Sequence, residues 1–331
     1  MSELYAVTSG DPAGIGPDIS LKIALREDSH QFVVFGNMDL LRERAEMHAM
    51  DIKFIEFDES ASDSQIQKNT LLVKDFNLNH PVQPGVMDSK NGSYTLSIID
   101  NAVQGCMDGQ FTGCITGPVN KESIAKSGYK FSGHTEYIGK LCNQTPVMTF
   151  ISDQMKIALL TTHLPIKAVP KHITIQGIMD VVNIIHADLV NYFGIKNPNI
   201  GITGLNPHAG ENGHIGKEEE EIFLPALKSL NDSGIHIDGP YAADTILLNN
   251  NNHDLIISIF HDQLLPLFKH ANPHLSTNVT MGLKIIRTSV DHGVAFDKVG
   301  TPDINHQSLY HALDTAKSMA NSYEKTKSAQ S

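Results

Sequence analysis

Apolar residues in this chain fall into short, dense runs and longer periodic ones. Largely apolar runs at residues 4–8, 32–35, 52–57, 114–116, 147–151, 156–162 and 200–205, bounded by glycine, proline or polar residues, predict strands. Leu96, Ile99, Val103 and Met107 recur at helical spacing and predict a helix over 89–107. Ile178, Val181, Val182, Ile185 and Leu189 predict another over 174–193, ended by Gly194, and a third runs through Leu40 and Leu41 to Met50. Strands that alternate with helices imply a parallel sheet, so the expected class is α/β. Residues 58–88 are polar and poorly periodic; they predict loop, with 71–73 as the best strand.

The same pattern locates chemistry. The run that starts at Leu255 stops abruptly at His261 and Asp262, and the runs at 156–162 and 200–205 close on His163 and His208. Three strands thus deliver three imidazoles to one edge, where open α/β sheets place their ligands. The loop 206–216 is richer in glycine and polar side chains than a simple connection needs, and such loops at strand ends line sites. The first strand runs into Gly10-Asp-Pro-Ala-Gly-Ile-Gly-Pro17, a glycine turn that matches neither the dinucleotide nor the P-loop fingerprint. His134 and Thr135 stand in front of another helical stretch, where free N–H groups favour an anion. Lys121 falls in the first turn of a helix within 117–128, where a cation opposes the dipole unless an anion is near. The acids at 218–221 read as dipole-stabilising residues of the next helix.

Composition narrows the class. At 331 residues the chain is long enough for two domains. A net charge of −12, from 37 acidic residues against 25 Lys and Arg, speaks against nucleic acid or an anionic membrane as partner. Three cysteines without C-x-x-C spacing, and no apolar run of membrane length, fit a reduced, cytoplasmic protein. Imidazoles without thiolates suit a catalytic divalent ion with an open position. Lys269, Asn278 and Arg287 supply donors for a phosphate or carboxylate.

Six stretches carry a resemblance. Thr8-Ser-Gly-Asp-Pro-Ala-Gly-Ile-Gly-Pro17, Ser132-Gly-His-Thr-Glu136, Thr161-Thr-His-Leu-Pro165, Leu205-Asn-Pro-His-Ala-Gly-Glu211, Phe260-His-Asp-Gln263 and Arg287-Thr-Ser-Val-Asp-His-Gly293 resemble, in order, the motifs of the 4-hydroxythreonine-4-phosphate dehydrogenase family. The resemblance runs from Thr8 to about Gly300. It implies an isocitrate/isopropylmalate dehydrogenase-like fold of two α/β/α domains around a cleft, here 1–128 plus 288–331 and 129–287. It also implies a homodimer with active sites shared between subunits, and NAD-dependent oxidation in pyridoxal phosphate synthesis, with NADP open as cofactor.

Carried over residue by residue, the resemblance assigns a divalent metal (zinc, cobalt or magnesium) to His163, His208 and His261, and the phosphorylated substrate to His134, Thr135, Lys269, Asn278 and Arg287. His292, Gly293, Asp297 and Gly300 fall in a segment that is similar to the H-G-x-A-x-D-x-x-G nucleotide loop of the wider superfamily. Asp244, Asp262 and Lys269 are candidates by type for the group that accepts the hydroxyl proton. The chain departs from the family at Asn120, where many relatives carry histidine, at Gln263-Leu-Leu-Pro266, which lacks a glycine, and in the loop 270–277. Two other classes stay open: a dehydrogenase of threonate or erythronate 4-phosphate, and a non-redox phosphate-handling protein of the same fold.

Overall fold

The computed structural model describes residues 3–58, 68–248 and 253–330. Its strands are β1 (Tyr5–Thr8), β2 (Phe32–Gly36), β3 (Lys53–Glu56), β4 (Thr70–Asp75), β5 (Gly113–Thr116), β6 (Val147–Ile151), β7 (Lys156–Leu159), β8 (Ile200–Thr203), β9 (Ile237–Tyr241), β10 (Leu255–Ser258), β11 (Thr277–Met281) and β12 (Ile286–Ser289). Part of the polar stretch 58–88, residues 59–67, lies outside the described residues. The chain divides into two compact units, 1–145 with 283–317 and 146–282 with 318–331.

In the first unit the strand order is β3-β4-β2-β1-β5-β12. Every neighbouring pair is parallel, as the strand–helix alternation predicts. Strands β1 and β2 are buried along their whole length, which is why they read as continuous apolar runs rather than alternating ones. The helix Gly92–Met107 covers them with Ile98, Ile99, Ala102 and Val103, each wholly shielded from solvent.

In the second unit the order is β11-β6-β7-β10-β8-β9. The first two pairs are antiparallel, and β7, β10, β8 and β9 run parallel. The three strands that precede the histidines are therefore adjacent, with carboxyl ends at a common edge. The helix Ile175–Phe193 begins at Thr174, whose hydroxyl accepts from Gly177 N at 3.0 Å, and ends at left-handed Gly194.

The unit boundaries differ from those expected. Residues 129–145, expected in the second domain, belong to the first: Ile138 and Cys142 join Ile98 and Phe111 in its core, and Tyr137 Oη donates to Asp100 at 2.7 Å. An expected cut between 287 and 288 would split β12, which pairs with β5 over its whole length. Residues 318–331, expected in the first domain, group with the second, where the Tyr323 ring stacks on Tyr192 at 5.1 Å. Among the described residues no single helix is long and apolar enough to cross a membrane.

Candidate active site

The first unit holds a buried cation on β12, the last strand in its order. Arg287 projects from β12, is 1% exposed, and donates from Nη2 to Thr116 Oγ1 on β5 at 2.6 Å. Burial lowers its pKa to about 10, against the opposing pull of Cys114 and the Glu136 carboxylate. A desolvated guanidinium of this kind gains from any anion that reaches it.

His134 and Thr135 are the first two residues of the helix His134–Leu141, inside it rather than in front of it as expected. Burial holds the His134 imidazole well below its ordinary pKa, with Arg287 and Lys121 adding to the effect, so it is neutral near pH 7. Its Nε2 is buried without a hydrogen-bond partner among the described residues. Unmet polar capacity next to a buried cation and a helix N-terminus is the chemistry of an anion site.

The glycine turn after β1 is held from below. Asp18 and Arg44 form a buried pair at 2.8 Å, and Arg44 Nη2 donates to Pro12 O at 3.0 Å. Two further loops close on this turn: Ile15 N donates to Val294 O at 3.0 Å and Gly85 N to Ala13 O at 2.8 Å. A Cβ on Gly14 would lie 2.9 Å from Val294 O, so that glycine is required by close backbone approach. The nucleotide-like segment thus joins the turn after β1. Within it Gly293 and Asp297 are exposed, a Cβ at Gly293 would meet nothing within 4 Å, and Gly300 adopts φ 71° against Met47. An open backbone and a solvent-facing carboxylate fit a ribose or pyrophosphate laid along the loop.

In the second unit the histidine edge is built on two polar clamps. The Gln263 Oε1 accepts from Thr203 Oγ1 (2.8 Å) and Ile259 N (2.8 Å), while Nε2 donates to Gly204 O (2.7 Å), tying the ends of β8 and β10 together. Thr161 Oγ1 donates to Ile259 O at 2.7 Å and adds the end of β7. The second clamp is Glu219, 3% exposed, whose oxygens accept from Asn206 N (2.8 Å) and Nδ2 (2.9 Å). That carboxylate anchors a loop in which His208, Ala209, Glu211 and Asn212 all have positive φ, a conformation that costs about 1 kcal/mol per non-glycine residue. The acids expected to serve the helix dipole instead hold the histidine loop: Glu218 Oε2 also accepts from Asn206 Nδ2, at 2.8 Å.

Two of the three histidines come together. The rings of His163 and His261 lie 5.8 Å apart, and His261, the first residue of the helix His261–Ala271, has Nδ1 at 2.6 Å from Asp262 Oδ1. A carboxylate on Nδ1 orients the ring and leaves Nε2 for a ligand, as in metal sites. His208 is exposed and does not join them in a metal-holding cluster: among the described residues no group of three His, Cys, Asp or Glu is so arranged. The donor set suits a divalent ion, and its convergence in one chain is partial.

Lys269 and Asn278 meet at Phe150. The Lys269 ammonium lies 5.5 Å over the Phe150 ring, and Asn278 pairs with Phe150 across β11 and β6. Asn278 Oδ1 is buried without a hydrogen-bond partner among the described residues. Asp244 and Asp262 are both exposed. Sequence reading gave Gln263 and Thr116 no role and took Glu219 for the helix dipole; their partners Thr203, Arg287 and Asn206 stand 60, 171 and 13 residues away, and the one available signal was the unusual density of glutamates after loop 206–216.

Parallel strands that end in paired imidazoles, and a separate buried guanidinium beside a neutral histidine, define an enzyme for a small anionic metabolite. The comparisons give the particular family. The model of the pyridoxal phosphate biosynthetic protein PdxA family matches residues 28–316, and this chain belongs to that family. It is 42% identical over 320 residues to the 4-hydroxythreonine-4-phosphate dehydrogenase of Pseudomonas putida, covering 96% of this chain and 97% of the relative. It is 40% identical to the enzyme of that name from Vibrio vulnificus, covering 96% and 98%. The crystal structure of 4-hydroxythreonine-4-phosphate dehydrogenase from Klebsiella pneumoniae superimposes with a TM-score of 0.85 at 30% identity, covering 96% of this chain and all of that one.

Proposed function

We propose that this chain oxidises 4-phosphooxy-L-threonine with NAD, in the cytoplasm, to a β-keto acid that loses carbon dioxide to give 3-amino-2-oxopropyl phosphate. The observation that carries this reading is the buried Arg287 guanidinium with the neutral His134 imidazole and the helix N-terminus near it, donors of the kind a phosphate monoester takes.

Each proposed role follows from the chemistry of the side chain. Arg287 fixes the phosphate by a charge-assisted hydrogen bond, and neutral His134 and Thr135 add donors at the helix N-terminus. Lys269 and Asn278 bind the polar end of the substrate. His163, His208 and His261 hold a divalent ion, zinc, cobalt or magnesium, which when bound lowers the pKa of the substrate's secondary hydroxyl. Asp262 keeps His261 oriented through Nδ1. The loop with His292, Gly293, Asp297 and Gly300 receives NAD, or NADP. Lys269, Asp244 and Asp262 are the side chains proposed to take the hydroxyl proton. Since two histidines are paired in one chain and the third is apart, the active protein is proposed to be a homodimer whose sites draw on both subunits.

The test is NADH formation by purified protein with 4-phosphooxy-L-threonine, threonate 4-phosphate and erythronate 4-phosphate side by side. The amino-acid substrate is expected to give the highest kcat/KM. A preference for either sugar acid, or no nicotinamide reduction with any of the three, would overturn the assignment.

A further inference from the structure

We propose that Lys121 is an additional phosphate-binding residue, acting together with Arg287. The charges of both reach His134. The inference rests on the functional reading above and extends it to a residue outside the set assigned to substrate. Lys121 is exposed and is the first residue of the helix Lys121–Lys126, behind Asn120, whose side chain accepts from Ser123 N at 2.7 Å. A cation there opposes the helix dipole. Its surroundings supply the reason for that placement. A methyl group on Gly133 would lie 3.6 Å from Lys121 Nζ and 2.8 Å from Glu136 Oε2, so the ammonium hangs over the residue that precedes His134. A side chain at Gly133 would collide with the Glu136 carboxylate, so the glycine permits this close approach of Lys121 and Glu136 to the backbone ahead of His134.

Charge counting decides between a surface lysine and a ligand-binding one. The charges that act on the pocket are the Arg287 guanidinium, the Lys121 ammonium and the Glu136 carboxylate, with His134 neutral. Without Lys121 the guanidinium and the carboxylate cancel, and a neutral pocket has no excess charge to offer an anion. A phosphate monoester carries roughly −1.5 to −2 at pH 7. With Lys121 the pocket carries one net positive charge, which is the sign the ligand needs. The two cations then divide the work. The buried, planar guanidinium fixes the orientation of the phosphate, and the flexible ammonium follows it and adds charge.

Lys121→Met is to be compared with Lys126→Met, a lysine of the same helix that is ion-paired with Glu122 on the surface. Two quantities are measured: KM for the phosphorylated substrate and for NAD, and binding of inorganic phosphate alone by calorimetry. Lys121→Met is expected to raise KM for the phosphorylated substrate at least about tenfold, the change expected for one charge-assisted hydrogen bond, with KM for NAD unchanged. Phosphate binding should weaken in parallel, Lys121→Arg should recover most of both losses, and Lys126→Met should match the wild type. An unchanged KM and phosphate affinity in Lys121→Met, or an equal rise in KM for NAD, would overturn the proposal. If the wild type turns over none of the phosphorylated substrates, the functional reading fails by itself and calorimetry decides for Lys121. Weaker phosphate binding by Lys121→Met then supports it, and equal binding, or none by either protein, overturns it.

Discussion

The buried guanidinium of the first unit and the histidine edge of the second are built by opposite means. Arg287 and Thr116 are sealed in the sheet, at 1% and 0% exposure, whereas His163 and His208 are exposed and the His261 side chain is 39% exposed. Burial organises the first and holds the guanidinium pKa below its ordinary value. The histidine edge is organised by Gln263 and Glu219, which fix the backbone; His163 and His261 are neighbours there, and among the described residues no three groups converge as metal ligands.

The largest expected effect separates the two. Exhaustive chelation should lower turnover by at least about a thousandfold, since a metal supplies several kcal/mol of charge stabilisation and each 1.36 kcal/mol is tenfold. Zinc, cobalt or magnesium should restore it, while binding of inorganic phosphate to the stripped protein stays at its original affinity. Loss of both together would break the comparison and make the pocket dependent on the ion; full activity in verified metal-free protein would end the metal reading. Mixed dimers sharpen it further. Because the rings of His163 and His261 are neighbours within one chain, a mixture of His163→Ala and His261→Ala subunits should stay inactive. His208→Ala mixed with either should regain activity and bound metal if sites are shared.

An intermediate effect comes from the pocket itself. Arg287→Met should raise KM for the phosphorylated substrate about 10- to 100-fold, as loss of a charge-assisted hydrogen bond of ~1.5–3 kcal/mol predicts, with KM for NAD unchanged. Thermal stability should hold or rise. Burial lowers the guanidinium pKa to about 10, so below that pH the fold carries a charge it disfavours, and methionine removes it. Equal losses for substrate and NAD would reassign Arg287 to structure.

How much of this was legible in the sequence depends on how local each signal is. The strands Tyr5–Thr8 and Phe32–Gly36, the helix Ile175–Phe193 and the Gly194 stop are written in consecutive residues, and all are found where the pattern puts them to within a residue. The alignment of three histidines at one edge followed from strand ends alone. The unit boundaries did not, because Tyr137 with Asp100 and Tyr192 with Tyr323 are contacts across long stretches of chain that no periodicity records. Glu219 misled for a related reason. An acid early in a helix serves the dipole by default, and only the folded backbone brings Asn206 to it. Lys121 was conspicuous as a cation in a first turn, but Gly133 and Glu136 beside it are visible only in the structure.

The smallest expected effect concerns a second buried charge, in the unit with the exposed histidines. Asp188, on the helix Ile175–Phe193, is 8% exposed and accepts from Gly282 N at 2.8 Å. Burial raises its pKa from 3.8 to about 6, against the lowering effect of that hydrogen bond. Between these two values the folded protein holds a proton that the unfolded chain has released, so stability falls as pH rises through the window. Above about pH 6 the carboxylate costs roughly 2–3 kcal/mol. Asp188→Asn keeps an oxygen for Gly282 N and removes the charge. Its melting temperature should exceed that of the wild type at pH 8, the difference should shrink towards pH 4, and KM for the phosphorylated substrate should not move. Arg287 and Asp188 would then be equivalent as burdens on the fold and different in use, since only the loss of Arg287 weakens the ligand. A variant no more stable at pH 8, or one with a raised KM, would show that the charge of Asp188 is needed where it stands and would put the second unit's buried carboxylate on the same footing as the first unit's guanidinium.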